Sequence, residues 1–335
     1  MKRLILQALS SAEGPVSGEA LSRAVGKSRT AIWQWIKELR EDGYVIDAAP
    51  NRGYRLLSRP DRLYPWEIQS RLKTRVIGRE IEYRPVVDST NDLAKTMAKD
   101  GAAEGLVVVA EEQRKGKGRR GRSWASPFGL GVWVSVLLRP AIAPYDAPQA
   151  ALVAALAAAR AVEGEVGVEA QIKWPNDILV GGLKTAGILV EMDAELEEVR
   201  SLVIGVGINV NLSRQELPED ARSRATSLME AAGRKIDRVE LLAAFLTRLE
   251  ESYFTWIEKG FAAILPALRE KAAYLGERVE VIEAGRRWQG IARDLGDDGA
   301  LLVEDDSGQL VAVYAAEVSL RPGQGARSGQ GRAGA

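Results

Sequence analysis

The residues best equipped for chemistry lie in one stretch, Gln113-Arg114-Lys115-Gly116-Lys117-Gly118-Arg119-Arg120-Gly121-Arg122-Ser123-Trp124, which sets six cations and three glycines between two strand-like segments and contains no acid. Repeated glycine lets backbone N–H groups turn toward an anion while lysine and arginine supply charge, a combination suited to phosphate. Gly116, Gly118 and Gly121 also satisfy G-x-G-x-x-G, but the residues after them carry Pro127 and lead to a strand, whereas a dinucleotide fingerprint must open a helix. A basic run is most often a solvated face, a nucleic-acid patch or a localisation signal. The interleaved glycines and the position between strands favour an anion-binding loop.

Three further segments hold reactive groups. Lys173-Trp174-Pro175-Asn176-Asp177 reads as a strand end breaking into a turn that projects a cation, an amide and a carboxylate together. Lys173 suits a phosphate and Asp177 a magnesium ion, although an isolated turn of this kind more often bonds only its own backbone. Lys184 begins an otherwise apolar strand and either snorkels from a surface or points into a pocket. Gly205-Val206-Gly207-Ile208-Asn209-Val210-Asn211 bares one face of a strand, either for a flat ligand or for close packing of another element.

Composition limits what these groups can do. The 335 residues include no histidine and no cysteine, which removes disulfides, Cys/His zinc sites, Ser-His-Asp triads and any imidazole acid or base. Acidic and basic residues number 46 each, so affinity for nucleic acid must come from local clusters. No apolar run reaches the ~18 residues of a membrane span, and the Met1-Lys2-Arg3 start is not followed by a signal-peptide pattern, so a cytoplasmic protein is expected.

The elements that must position these groups fall into three regions. Residues 66–272 alternate strands (Ile81–Val87, Leu106–Ala110, Val132–Leu138, Val168–Lys173, Ile178–Val180, Ala186–Met192, Leu202–Val210) with helices at Thr90–Lys99, Gln149–Val162 and Arg238–Lys259, and Gly181-Gly182 signals a tight hairpin. Residues 273–321 read as short strands broken by glycine, the pattern of a small β-barrel, and 322–335 as a disordered tail. Residues 1–60 read as helices followed by a hairpin. Leu4, Ile5 and Leu9 share one face of the first helix, the helix-turn-helix spans about 18–37 with Gly26 at its turn and Ser28 as cap, and Pro50-Asn51-Arg52-Gly53 turns a candidate wing. Residues 1–59 carry ten Lys/Arg against six Asp/Glu, a local excess of 10 − 6 = +4, and Lys27, Ser28, Arg29, Thr30, Gln34 and Arg52 are the candidate DNA contacts. A protein-binding or vestigial winged helix is the alternative. Trp33 and Trp35, two apart, cannot both face a core. Pro60 and Pro65 punctuate a linker. The fold class expected is thus mixed α+β: a winged helix-turn-helix, a mixed α/β central domain and a small β-barrel.

Asp88-Ser89-Thr90-Asn91, the glycine/arginine loop, Lys-Trp-Pro-Asn-Asp, Lys-Thr-Ala-Gly-Ile-Leu-Val-Glu and Gly-Val-Gly-Ile-Asn-Val-Asn occur in the order and approximate spacing of the biotin protein ligases. With its flanking modules the chain resembles the bifunctional ligase/repressor class of that family over about 320 residues. The resemblance implies a SH3-like C-terminal barrel, ATP and biotin as substrates with Mg2+, a biotin carboxyl carrier protein and operator DNA as partners, and a homodimer when biotinyl-AMP is bound. It implies synthesis of biotinyl-5'-AMP, transfer to a carrier lysine, and biotin-responsive repression of biotin synthesis genes.

By the same resemblance Ser89, Thr90, Asn91 and Gln113 line the biotin ureido end, Lys117, Gly118 and Arg119 fold over biotin and adenylate, and Gly187, Gly205 and Gly207 complete the biotin site. Lys184 and Arg119 are the expected catalytic residues. Lys173, Asn176, Arg120, Arg122, Trp124 and Asn209 serve the nucleotide and Asp177 the metal. Lys117 stands where arginine is usual, which keeps the charge and loses bidentate geometry. The competing expectations are a sensor without catalysis, a lipoate-type ligase, and a ligase whose N-terminal module no longer binds DNA.

Overall fold

The computed structural model describes residues 1–49, 52–283, 286–314 and 317–320. The expected tail and the turn residues Pro50 and Asn51 lie outside the described residues. In the N-terminal module α1 (Lys2–Ser10), α2 (Gly18–Val25) and α3 (Arg29–Glu41) close on Ile5, Leu6, Leu9, Leu21, Ile32, Ile36 and Leu39. Ser17 and Ser28 cap α2 and α3 through hydrogen bonds from Ala20 N–H and Ala31 N–H, and Gly26 at φ +69° makes the turn between them. The expected face of α1 is corrected: Leu6 is buried and Leu4 is 39% exposed. Ile5 and Leu9 belong to both possible stripes, and only the packing of α2 and α3 selects between them. β1 (Val45–Ala49) and β2 (Gly53–Ser58) form the wing, with Tyr54 also pairing to Val16.

The linker is not a loose tether. Leu63 is fully buried in the main core, and α4 (Pro65–Arg71) carries the buried Glu67. The Glu67 carboxylate accepts from Tyr44 Oη (2.6 Å) and Arg71 Nη1 (2.9 Å) and pairs with Arg59. Burial alone raises the Glu67 carboxyl, but these bonds outweigh it and hold the group below its ordinary range. On the other side Arg238, fully buried, donates to Asp61 Oδ1 (2.8 Å) and Glu111 Oε2 (2.9 Å), and Glu111 Oε1 accepts Leu63 N–H (2.8 Å). The proline pair therefore marks a segment bonded on both flanks.

The central sheet runs β3-β4-β5-β9-β8-β7-β6. Its members are β3 (Ile81–Val87), β4 (Val107–Gln113), β5 (Gly131–Leu138), β6 (Gln171–Lys173), β7 (Asp177–Val180), β8 (Leu183–Glu195) and β9 (Glu198–Asn209). β3 and β4 are parallel and the remaining pairs antiparallel, giving a mixed sheet. Residues alternate in burial partner along β4: Val108 packs under α5 (Thr90–Lys99), while Val107 and Val109 face the cluster of α6 (Gln149–Val166) and α8 (Arg238–Lys259). Alanine dominates α6, which is buried nearly all round and so lies between the sheet and α8. The short α7 (Leu228–Ala232) and α9 (Leu265–Lys271) carry no strong periodic signal.

β10 (Arg278–Glu283), β11 (Arg286–Leu295), β12 (Leu301–Asp305), β13 (Leu310–Val313) and β14 (Glu317–Leu320) form an antiparallel sheet in the order β13-β12-β11-β10-β14. Val279, Val281, Leu301, Val303 and Val318 of this sheet join the same apolar cluster as α6 and α8. Trp174 Nε1 donates across the junction to Gly299 O at 3.0 Å.

Candidate active site

Gln113 ends β4, and its side-chain oxygen accepts from Thr90 N (2.9 Å) and Thr90 Oγ1 (3.0 Å) while its amide nitrogen donates to Ser126 Oγ (2.9 Å). Thr90 and Asn91 open α5 behind the cap residue Ser89, whose Oγ accepts Asp92 N–H. Ser135, in the middle of the otherwise apolar β5, lies 2.8 Å from Thr90 Oγ1 and donates to Asn91 Oδ1 at 2.6 Å. Asn91 Nδ2 donates to Glu191 Oε2 at 2.8 Å. Ser89, Thr90, Asn91 and Ser135 are all buried, so this is a dry and mutually satisfied polar network.

The glycine/arginine loop folds back on itself as a narrow hairpin. Gly118 N–H donates to Arg122 O (2.7 Å), Trp124 N–H to Gly116 O (2.9 Å), and Arg119–Gly121 makes one tight turn with Arg120 at φ +55°. No helix follows; the chain enters β5, in keeping with the rejected dinucleotide reading. The loop reaches across the sheet, and Arg119 Nη1 donates to Asn176 Oδ1 at 2.9 Å. Asn176 is fixed from behind by its Nδ2 bond to Ile188 O (2.8 Å). Lys117 Nζ pairs with Asp92 Oδ1 at 2.6 Å, beside Lys95 at 3.0 Å. Partial burial raises the Asp92 carboxyl, but the two ammonium groups outweigh it and set it below its usual value.

Asp177, next in the same turn, binds Lys184 Nζ at 2.6 Å, and that ammonium lies 5.2 Å from the centre of the Trp124 ring. These groups line a single cavity of about 690 Å3, within the range of small-molecule sites. The predicted central-domain residues converge on it: Lys173, Asn176 and Asp177 from the turn, Arg120 and Arg122 from the loop, and Gly187 and Asn209 from β8 and β9 join the groups above. Asn209 is itself anchored by a bond from Nδ2 to Thr226 O (3.2 Å).

The bare glycines of β9 meet the protein itself. A Cβ on Gly205 would collide with the Asn91 amide and one on Gly207 with the Trp124 indole. Of the two sequence-level readings, close packing therefore holds for both, although both residues still border the cavity. The indole Nε1 is buried with no hydrogen-bond partner among the described residues, an unused donor at the cavity wall.

Sequence reasoning missed several walls. Ser135, which braces Thr90 and Asn91 from behind the cavity, had a usable signal as the lone polar group of the apolar β5. Leu212, Leu217, Ala221 and Ala225 close another side, where Lys184 N–H bonds Arg224 O at 2.9 Å, and carry no motif. Tyr274, Ile282 and Val318 close a third from the C-terminal region. Burial, then the Asp177 charge, raises the Tyr274 hydroxyl, and this residue sits at φ +72°. Asp177 is the only carboxylate lining the cavity among the described residues, which hold no cluster of three or more metal-ligating side chains. Magnesium is commonly held by only one or two carboxylates, so Asp177 is the side chain here that fits such an ion.

The candidate DNA contacts lie elsewhere. Lys27, Ser28, Arg29, Thr30, Gln34 and Arg52 are all exposed, on the start of α3 and on the wing. No helix among the described residues is long and apolar enough to cross a membrane.

Comparison with known proteins places each region. The Biotin/lipoate A/B protein ligase family model matches residues 83–209, an HTH domain model residues 2–55, and a Biotin protein ligase C terminal domain model residues 274–321. The Bifunctional ligase/repressor BirA of Bacillus subtilis is 41% identical over 305 residues, covering 91% of this chain and 94% of that protein, and its Escherichia coli namesake is 31% identical over 305 residues. The biotin protein ligase of Aquifex aeolicus in complex with biotin and ATP superposes with a TM-score of 0.63 at 31% identity, covering 72% of this chain and 99% of that one. The chain belongs to the biotin protein ligase family, in the branch whose members carry an N-terminal helix-turn-helix domain.

Proposed function

We propose that this chain joins biotin to AMP and then to a lysine of a biotin carboxyl carrier protein, and that residues 66–272 with a wall from 273–321 perform the chemistry while residues 1–60 bind operator DNA as a repressor. The observation that carries the reading is that Arg119 and Lys184, from a loop and a distant strand, are held by the adjacent residues Asn176 and Asp177 of one turn.

In the first step a biotin carboxylate oxygen bonds to the α-phosphorus of ATP as the bond to pyrophosphate breaks. Two anions must meet, so the barrier is lowered by cations and by alignment, with no histidine needed. Lys184 exchanges its partner Asp177 for the reacting oxygens, with Lys173, Arg120, Arg122 and Trp124 Nε1 serving the nucleotide. Asp177, once released, is the residue placed to hold magnesium, whose chemistry is neutralisation of phosphate charge. Ser89, Thr90, Asn91 and Gln113 hold the uncharged ring end of biotin. In the second step the acceptor amine bonds to the acyl carbon and AMP leaves with the bonding pair. The mixed anhydride is prone to hydrolysis, and closure of Lys117, Gly118 and Arg119 over it excludes water. Cytoplasmic location and a homodimer that presents two helix-turn-helix modules to a palindromic operator belong to the same reading.

The test is mass spectrometry of a carrier domain incubated with the protein, biotin and MgATP. Gain of one biotinyl group that requires ATP is expected; a folded protein and competent carrier giving no gain would sink the ligase reading.

A further inference from the structure

The outward stripe of α3 is formed by Arg29, Thr30, Trp33, Gln34 and Lys37, spaced i, i+1, i+4, i+5 and i+8, so all five project from one face. The inward positions are filled by Ile32, Ile36 and Leu39, and the second indole, Trp35, packs partly buried against that core. Trp33 is left 56% exposed. A single exposed apolar residue is ordinary on a protein surface. Here the indole stands at the centre of a stripe with two cations, an amide and a hydroxyl, and the first carboxylate along it is Glu41 in the last turn, which pairs with Lys37 at 4.0 Å. Lys27, just before the helix, and Arg52, in the wing, are exposed cations of the same module.

Cations at the margins of such a stripe suit phosphates, which position a protein on a duplex without reading it. Thr30 and Gln34 offer the hydrogen bonds that read base edges. A flat apolar surface between them matches the one apolar mark of the major groove, the C5-methyl group of thymine. We propose that Trp33 is a specificity-determining residue of the DNA-binding module and selects thymine by covering its methyl group. The inference rests on the repressor reading above and adds to it the residue and the base.

The experiment selects binding sequences from a duplex pool randomised over roughly three helical turns, about 30 base pairs, using the full chain with biotin and MgATP. The selected duplex is then remade with uracil in place of one fixed thymine at a time, which removes a single methyl. Wild-type protein is expected to enrich a symmetric sequence with a fixed thymine in each half-site and to bind the uracil duplex roughly three- to tenfold more weakly, the value of one buried methyl. Trp33→Ala should bind the thymine duplex at least roughly tenfold more weakly and no longer distinguish uracil. Its salt dependence should match wild type, whereas Lys37→Ala lowers the slope by about two, one for each half-site. Biotin transfer to a carrier domain by Trp33→Ala, expected at the wild-type rate, verifies that the variant folds.

A Trp33→Ala protein that still discriminates thymine from uracil as wild type does overturns the proposal. Failure of wild-type protein to enrich any sequence removes the repressor reading and the proposal together. Loss of self-association by Trp33→Ala with thymine discrimination intact assigns the indole to a protein contact and also overturns it.

Discussion

At the end of the cavity walled by α5, Ser89, Thr90 and Asn91 are 2%, 3% and 4% exposed and each is bonded to another fixed group. At the end walled by the loop and the β6–β7 turn, Lys184 is 33% and Lys117 42% exposed at the side chain, and both are paired with carboxylates. The first end is dry and complete before any ligand arrives, its one charged partner being the Glu191 carboxylate behind Asn91, which suits an uncharged ring that must be recognised and held. The second is charged, partly wet and bonded by contacts that an incoming anion can replace, which suits a reaction in which negative charge collects and then leaves. The difference teaches that binding and chemistry are supported by different kinds of contact, and mutations should separate them.

The largest separation is expected from Lys184→Ala. Single-turnover formation of biotinyl-AMP should slow by roughly 10²–10³-fold, the scale of losing one group aimed at developing charge. Biotin affinity by calorimetry should change far less. Equal losses in both would merge the two ends. Gly205→Ala acts on the other side: its Cβ collides with the Asn91 amide, so biotin affinity should fall by roughly tenfold or more and thermal stability should drop by about 1–3 kcal/mol, the cost of an unsatisfied buried amide. A variant with wild-type biotin affinity would show that the Asn91 network is structural only.

Arg119→Ala removes the loop's bond to Asn176 while leaving the biotin end intact. Adenylate should escape or hydrolyse roughly tenfold faster, with slower change in its formation, as read by trapping released biotinyl-AMP. The smallest effect concerns pH. Asp92 has its carboxyl set below the usual value by Lys117 and Lys95 against the opposing effect of burial. The ion pair is therefore present above the ordinary carboxylate range and lost as pH falls through the lowered folded value. Loop closure measured by protease protection should persist to a pH below about 3.9 and then fail, and Asp92→Asn should abolish that dependence.

Local signals carried much of this architecture. Ser89 and Asp237 cap α5 and α8, so both helices run over the residues their sequence pattern indicates. Gly181 and Gly182, both at positive φ, make the tight turn between β7 and β8. The chemistry-bearing motifs were legible because each holds residue types that folding alone does not require. What was not legible depended on distant partners. Leu6 rather than Leu4 faces inward because of α2 and α3, and the proline-flanked linker is pinned because Arg238, 177 positions away from Asp61, is buried against it. The bare face of Gly205 and Gly207 suits a ligand or close packing equally in the sequence, because Asn91 and Trp124, which lie against it, are distant along the chain. β14 completes the C-terminal sheet by pairing with β10, a contact no short pattern encodes.

The division of labour in the cavity is tested most directly by measuring two quantities on the pair Asn91→Ala and Lys184→Ala: the biotin dissociation constant, and the single-turnover rate of biotinyl-AMP formation at saturating biotin and MgATP. The account predicts that Asn91→Ala weakens biotin binding while keeping most of the saturated rate, and that Lys184→Ala loses the rate while keeping most of the affinity. Parallel losses of affinity and rate in both variants would contradict it.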